Sequence, residues 1–272
     1  MPRTPLAATT IREALESAVI ALTAARCATP RLDAEVLLAH VLGVDRAALI
    51  LHPDRALAPS EARAFMDAAR RRREREPVAY ITGVKGFRMI ELAVDRRVLI
   101  PRPETEHLVE AALGLPAGTR VVDVGTGSGA IALALKSERP DLEVLATDVS
   151  ADALAVARAN AERLGLDVTF VEGDLLAGVA ADAVVSNPPY VGEDQPVMPE
   201  VARYEPRVAV FAAGEGFAVI RRLVAAPVAF MALEMAGHQG DAVEDLLRAA
   251  GFASVERVRD LAGIERVMVA RR

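Results

Sequence analysis

The sequence predicts a doubly wound α/β domain with a seven-stranded, mainly parallel sheet, preceded by a small helical bundle and a connecting β-hairpin. Three observations predict it. From Thr119 onward, short apolar runs alternate with helical patterns, and parallel neighbours need such helical crossovers. The first 76 residues, by contrast, show helical periodicity alone. At 272 residues, 52% hydrophobic and 26% charged, the chain can bury one large core and one smaller one.

In the first part, Thr10 and Glu13 have capping-box spacing, and Ile11, Leu15, Val19 and Leu22 recur on one helical face; a helix over 10–26 is predicted. A second begins near Asp33, with Leu37, Leu38, Val41 and Leu42 as its apolar stripe and Gly43 as its left-handed end. Pro59-Ser60 opens a third, which carries the arginines of 70–73 and stops before Pro77. That run reads as a solvated helix face, the sharper alternative being a surface for an acidic partner. In 78–118, Tyr80-Ile81-Thr82-Gly83 and Gly86-Phe87-Arg88 break helical periodicity, and 91–100 is β-like, bounded by Pro101 and Pro103. The expected domains are a helical 1–76, a linker and hairpin 77–100, and a catalytic 101–272.

In the larger part, 121–124, 144–147, 168–171, 183–185 and 228–233 read as buried strands, separated by helices near 129–137, 151–163, 215–224 and 239–250. Two further β-like runs, 254–258 and 266–270, have no helix between them. The last strand is therefore expected to enter antiparallel.

Composition removes several function classes. Cys27 is the sole cysteine, so no intramolecular disulfide or Cys-rich metal site is possible and a reducing compartment fits. His40, His52, His107 and His238 lack metal-ligand spacing; no metal is expected. The chain start shows no signal-peptide pattern and no run approaches about 18 apolar residues. A cytoplasmic protein without a membrane partner is expected. Residues 1–76 carry 12 arginines against 10 acidic residues, which leaves −8 for the remainder of a chain of net charge −6. Phosphate-backbone binding needs a local excess of Lys and Arg, so stable DNA binding is not expected.

The candidate ligand site begins at Asp123-Val124-Gly125-Thr126-Gly127-Ser128-Gly129, where an apolar strand enters a glycine-rich turn that opens a helix. Such a turn lets a ligand approach the backbone closely, although a tight strand-to-helix turn alone would show the same glycines. The spacing is not Gly-x-Gly-x-x-Gly and no P-loop lysine follows, which favours a ligand without phosphates. Asp148 ends the next strand, where its carboxylate can accept both ribose hydroxyls of an adenosine; a helix N-cap is the alternative. At the third strand end, Asp174 can accept an adenine amino proton and Leu175 pack on the ring, the alternative being a surface turn. Together the three strand ends describe an S-adenosylmethionine pocket better than a dinucleotide site.

Asn187-Pro188-Pro189-Tyr190 ends the fourth strand of the series, in the crevice where open α/β sheets bind ligands. An amide nitrogen delocalises its lone pair into its carbonyl, so it attacks a methyl sulfonium only when its hydrogens are held and the lone pair is aimed. The Asn187 side-chain oxygen and the Pro188 carbonyl can accept those hydrogens, more strongly as charge develops on nitrogen. The prolines stiffen the loop and the Tyr190 ring can cover a planar substrate group. An exposed Asn-Pro turn is the bland reading of the motif alone.

These residues resemble the amino-methyltransferases with an Asn/Asp-Pro-Pro-Tyr motif. The rest of the chain is similar to the PrmC/HemK family, through Arg31-Leu32-Asp33-Ala34-Glu35, Tyr80-Ile81-Thr82-Gly83, Phe87 and Val98-Leu99-Ile100-Pro101-Arg102-Pro103-Glu104-Thr105-Glu106. The resemblance implies a class I methyltransferase sheet, S-adenosylmethionine as cofactor, and class-1 peptide chain release factors as partners, methylated on N5 of the glutamine in their Gly-Gly-Gln loop. It also implies that Phe87, Arg102, Glu104 and Thr105 line the reaction centre with the Asn-Pro-Pro-Tyr residues; without it, 101–103 would read as a loop before a helix. A sister family acting on a ribosomal-protein glutamine typically reads Pro-Arg-Ser-Pro there. A DNA adenine-N6 methyltransferase, whose exocyclic amino group needs the same two acceptors, is the other alternative. The chain departs from the family's Glu-Ile-Gly at Glu234-Met235-Ala236, with Gly237 displaced by one, and at Phe211 and Ile264.

Overall fold

The structure, a computed structural model, describes residues 9–176 and 178–272. The chain start, where no signal-peptide pattern is read, lies outside them apart from Thr9 onward. Two compact units are present, divided between Gly83 and Val84.

The first unit holds α1 (Ile11–Ala24), α2 (Pro30–Leu42), α3 (Arg46–Leu51), α4 (Pro59–Arg73) and α5 (Val78–Thr82). Thr10 and Glu13 form the capping box reciprocally, and Gly43 ends α2 at φ 63°. Leu15, Leu22, Leu37, Leu38 and Phe65 share one apolar core. The arginine run is not a uniform solvated face: Arg72 points inward and donates to Asp33 at 2.7 Å with both side chains buried, while Arg70 pairs with Asp67 and Glu74 at the surface. Tyr80-Ile81-Thr82 is helical rather than part of a linker, as the single turn α5 closed by Gly83 at φ 78°. One turn is too short to display a period.

The second unit opens with a hairpin, β1 (Val84–Phe87) on β2 (Ile90–Ala93), in register Phe87 to Ile90. The β-like stretch after Ala93 is not strand; it turns at Asp95, whose carbonyl accepts from the Val98 amide, and runs on to Pro101. Then follow α6 (Glu106–Ala112), β3 (Arg120–Val124), α7 (Ala130–Glu138), β4 (Glu143–Asp148), α8 (Ala151–Leu164), β5 (Thr169–Glu172) and β6 (Ala183–Ser186). Beyond them lie β7 (Val191–Gly192), α9 (Pro199–Tyr204), α10 (Arg207–Val210), β8 (Phe211–Ala212), α11 (Ala218–Leu223), β9 (Phe230–Glu234), α12 (Gly240–Ala249), β10 (Ser254–Arg259) and β11 (Glu265–Arg271).

The main sheet has the order β10-β11-β9-β6-β3-β4-β5. β5, β4, β3, β6 and β9 are parallel, and β11 enters antiparallel between β9 and β10, as the missing helix between the last two runs predicts. The order reverses at β3, so the carboxyl ends of β3, β4 and β6 open on one crevice. β6 and β9 are buried along their whole length, which is why they read as unbroken apolar runs. Among the described residues no helix is long and apolar enough to cross a membrane, and no group of three or more His, Cys, Asp and Glu side chains could hold a metal ion.

Candidate active site

The glycine turn after β3 is held from both sides. The amides of Gly125 and Thr126 donate to the Thr147 carbonyl on β4 at 2.8 and 3.0 Å. Gly129 is the N-cap of α7 at φ 86°, where a Cβ would lie 2.8 Å from Leu133 Cδ1; only glycine fits. Having no side chain, it leaves the first turn of α7 to Asp123, whose Oδ2 accepts from the Ala132 amide at 3.1 Å and from Thr126 Oγ1 at 2.6 Å. Asp123 Oδ1, fully buried, has no partner among the described residues. Burial pushes this carboxyl up to about 7 against the two hydrogen bonds, and the charge of Asp148 adds to the rise.

A cavity of about 370 Å³ opens over the crevice, within the usual range for small-molecule sites. Gly125, Gly127, Asp148, Asp174 and Leu175 line it, as do Asn187, Pro188 and Pro189. Thr126, Ser128 and Gly129, also expected at the ligand, do not; they face inward and fix the turn. Asp148 is not the helix cap, since Ser150 Oγ takes that role on α8. Its Oδ2 accepts from the Gly127 amide and its Oδ1 from the Ser150 amide, each at 2.9 Å. Asp174 is exposed and paired with Arg222 through Oδ2. Asn160, absent from the sequence reading, is fully buried: its Oδ1 accepts from the Ala93 amide at 2.7 Å, and its Nδ2 donates to the carbonyls of Ala93 and Ser128 at 3.0 Å each. Among the described residues, Arg97 is the one cation lining the cavity, and it is engaged by both oxygens of Asp95. An apolar cavity with acidic groups at its rim, and with the one described cation already paired, fits a ligand that carries positive charge and no phosphate.

A second cavity, of about 160 Å³, meets the first along Leu99, Asn187, Pro188 and Ala209, and is lined also by Arg102 and Tyr190. Arg102 donates to Glu205 Oε1 at 2.5 Å, and the Ile100 amide to Oε2 at 3.3 Å, so the almost fully buried Glu205 pins the 100–102 segment. Asn187 Nδ2 donates to Thr105 Oγ1 at 3.1 Å; Thr105 Oγ1 donates to Glu234 Oε2 at 2.6 Å; Tyr190 OH donates to Glu234 Oε1 at 3.1 Å. Glu234 is 1% exposed, and burial pushes it up to about 7 against those two hydrogen bonds. Burial and the nearby Glu234 also raise the Tyr190 phenol.

Phe87, Glu104 and Thr105, expected at the reaction centre, line neither cavity. Phe87 is 2% exposed at the hairpin end and Thr105 lies behind Asn187. Three groups that the sequence reading left without a role support the Asn-Pro-Pro-Tyr loop. Glu234 is one; Gln239 is another, its Nε2 donating to the Tyr190 carbonyl at 3.0 Å. The third is Gly216, at φ 90°, where a Cβ would lie 2.0 Å from that same carbonyl. The departures Gly237 and Ile264 touch each other, a Cβ on Gly237 falling 2.7 Å from Ile264 Cγ2. The larger residue at one position is matched by none at the other.

Residues 13–83 match the PrmC N-terminal domain, and residues 104–221 match the methyltransferase small domain. The chain is 42% identical to a release factor glutamine methyltransferase of Koribacter versatilis, over 97% of this chain and 99% of that protein. It is 41% identical to one of Salmonella typhimurium, over 89% and 92%. Among solved structures, the hMettl16 catalytic domain, crystallised with the MAT2A 3'UTR hairpin 6, superposes with a TM-score of 0.54 at 18% identity, over 66% of this chain and 75% of that one. That likeness is one of fold.

Proposed function

The chain belongs to the family of release factor glutamine methyltransferases, and on that premise we propose that it methylates N5 of the glutamine in the Gly-Gly-Gln loop of class-1 peptide chain release factors, in the cytoplasm, with S-adenosylmethionine as donor. The observation that carries this reading is the meeting of the two cavities on Asn187 and Pro188: the larger takes the cofactor and the smaller the planar end of one side chain. Bound S-adenosylmethionine supplies an activated methyl group. The glycine turn holds its amino-acid end, Asp148 its ribose hydroxyls, and Asp174 Oδ1 with Leu175 its adenine. Asn187 Oδ1 and the Pro188 carbonyl accept the two amide hydrogens of the glutamine and aim its nitrogen along the line between the cavities. Neither acts as a base: the nitrogen–methyl bond would form as the methyl–sulfur bond of the donor breaks and its sulfur leaves as a neutral thioether, and the extra proton would then pass from nitrogen to solvent. Tyr190 covers the side of the acceptor pocket, and the first unit, with 1–76 at its heart, recognises the release factor.

The test offers labelled S-adenosylmethionine with, separately, a release factor, its Gln→Ala loop variant, and duplex DNA. Label is expected on the unaltered release factor alone. Label in DNA, or label retained by the Gln→Ala variant, contradicts the reading.

A further inference from the structure

The side chain that presents an acceptor oxygen at the reaction centre is an amide, and an amide has two nearly isosteric orientations. In one, Asn187 Oδ1 faces the meeting of the cavities; in the other, Nδ2 does, and two donors then confront the hydrogens of the incoming group. Resting on the proposed methyl transfer, we infer that Glu234 is a positioning residue that selects the productive orientation through the Thr105 hydroxyl. The Thr105 hydroxyl has a single hydrogen. An ionised carboxylate only accepts, so Glu234 Oε2 takes that hydrogen at 2.6 Å. What Thr105 Oγ1 has left for Asn187 is lone pairs, and only Nδ2 satisfies them, at 3.1 Å. The second carboxylate oxygen takes the Tyr190 hydroxyl, so one buried group fixes both ends of the Asn-Pro-Pro-Tyr loop.

The same arrangement defines what removes the selection. With a proton on Glu234, the acid donates, Thr105 can turn its hydrogen toward Asn187 Oδ1, and the flipped amide becomes equally well bonded. The groups that face Glu234 are Thr105 and Glu104 ahead of α6, Tyr190 after β6, and Arg266 on β11; Glu104 disfavours its charge and Arg266 favours it. Its titration near neutrality accordingly belongs to this cluster, and turnover should fall on the acid side.

Three variants test the relay. Glu234→Met keeps the length of the side chain and removes both acceptors; Thr105→Val removes the hydroxyl; Thr105→Ser keeps it. Glu234→Met and Thr105→Val are expected to lower kcat by about 100-fold, as for loss of one preorganised hydrogen-bonding group at a reaction centre, with cofactor Kd changed by less than about threefold, while Thr105→Ser recovers most of the turnover. Independently of activity, the Asn187 side-chain amide signals in nitrogen-edited NMR, assigned by their loss in Asn187→Ala, should titrate with one midpoint in the unaltered protein and not in Glu234→Met. Unchanged kcat in both disabling variants overturns the inference, as do equal losses in Thr105→Val and Thr105→Ser or amide signals indifferent to Glu234. Should the unaltered protein methylate no release factor, the functional reading fails, and the NMR titration decides the relay by itself.

Discussion

Asn187→Ala removes one of the two acceptors proposed for the substrate hydrogens and leaves the larger cavity otherwise intact. Turnover is therefore expected to fall by about 100- to 1,000-fold, with a far smaller change in cofactor affinity measured by calorimetry; a loss confined to affinity would place Asn187 in the cofactor site instead. At this scale the sequence was legible wherever a local pattern carries chemistry. Gly125 and Gly127, Asp148 and the Asn-Pro-Pro-Tyr residues all fall on the cavities. Glu234 and Glu205, which hold Thr105 and Arg102, were not, because they are remote in the chain from those partners: Thr105 and Glu234 are 129 residues apart, and Arg102 and Glu205 are 103 apart. No window of sequence contains such a pair. A charged residue ending an otherwise apolar strand, as Glu234 does, is the one local signal that pointed to it.

At the scale of elements, the glycine turn is tied to a helix and a strand remote from it in the chain. Asn160 on α8 uses its whole amide to tie the β2 backbone at Ala93 to the Ser128 carbonyl. Asn160→Ala strands those three backbone groups in the interior and is expected to cost about 2–3 kcal/mol, read as a lower urea midpoint at unchanged m-value; an unchanged midpoint would show that the clamp contributes nothing. A buried polar residue at mid-helix gives no periodic signal, so sequence reading passed over it. β6 and β9 were legible because both faces are covered, whereas β5, exposed at its two ends, was legible from its β-branched and aromatic residues. α3 and α5 were not, since helices of six and five residues show caps but no period. For α3 the Asp45 cap, accepting from the Ala48 amide, is the signal that was available.

Across the whole molecule, two buried carboxyls without an arginine hydrogen bond work against those that have one. Asp123 and Glu234 start from 3.8 and 4.5 and are pushed up to about 7 by burial. Between those limits the folded state binds more protons than the unfolded state, so their contribution to stability declines as pH rises through the window and levels off above it. Carboxylates paired with arginine, such as Glu35 and Glu138, are lowered by those partners, and their contribution is lost instead as pH falls through the folded value. Asp123→Asn keeps an acceptor for Thr126 and Ala132 without the buried charge. The melting temperature of the unaltered protein is expected to lose ground to Asp123→Asn as pH rises from about 5 to about 8; a difference independent of pH would mean that Asp123 titrates normally.

At all three scales the crevice at the ends of β3, β4 and β6 is proposed to serve a methyl transfer to one glutamine nitrogen. The most direct measurement maps the product: a class-1 release factor is incubated with the protein and S-adenosylmethionine, digested, and its peptides fragmented in a mass spectrometer. A single added methyl on the side-chain amide of the Gly-Gly-Gln glutamine, absent when Asn187→Ala replaces the unaltered protein, is the predicted result. A methyl group on another residue, or an unmodified loop under conditions where the cofactor is bound, would contradict it.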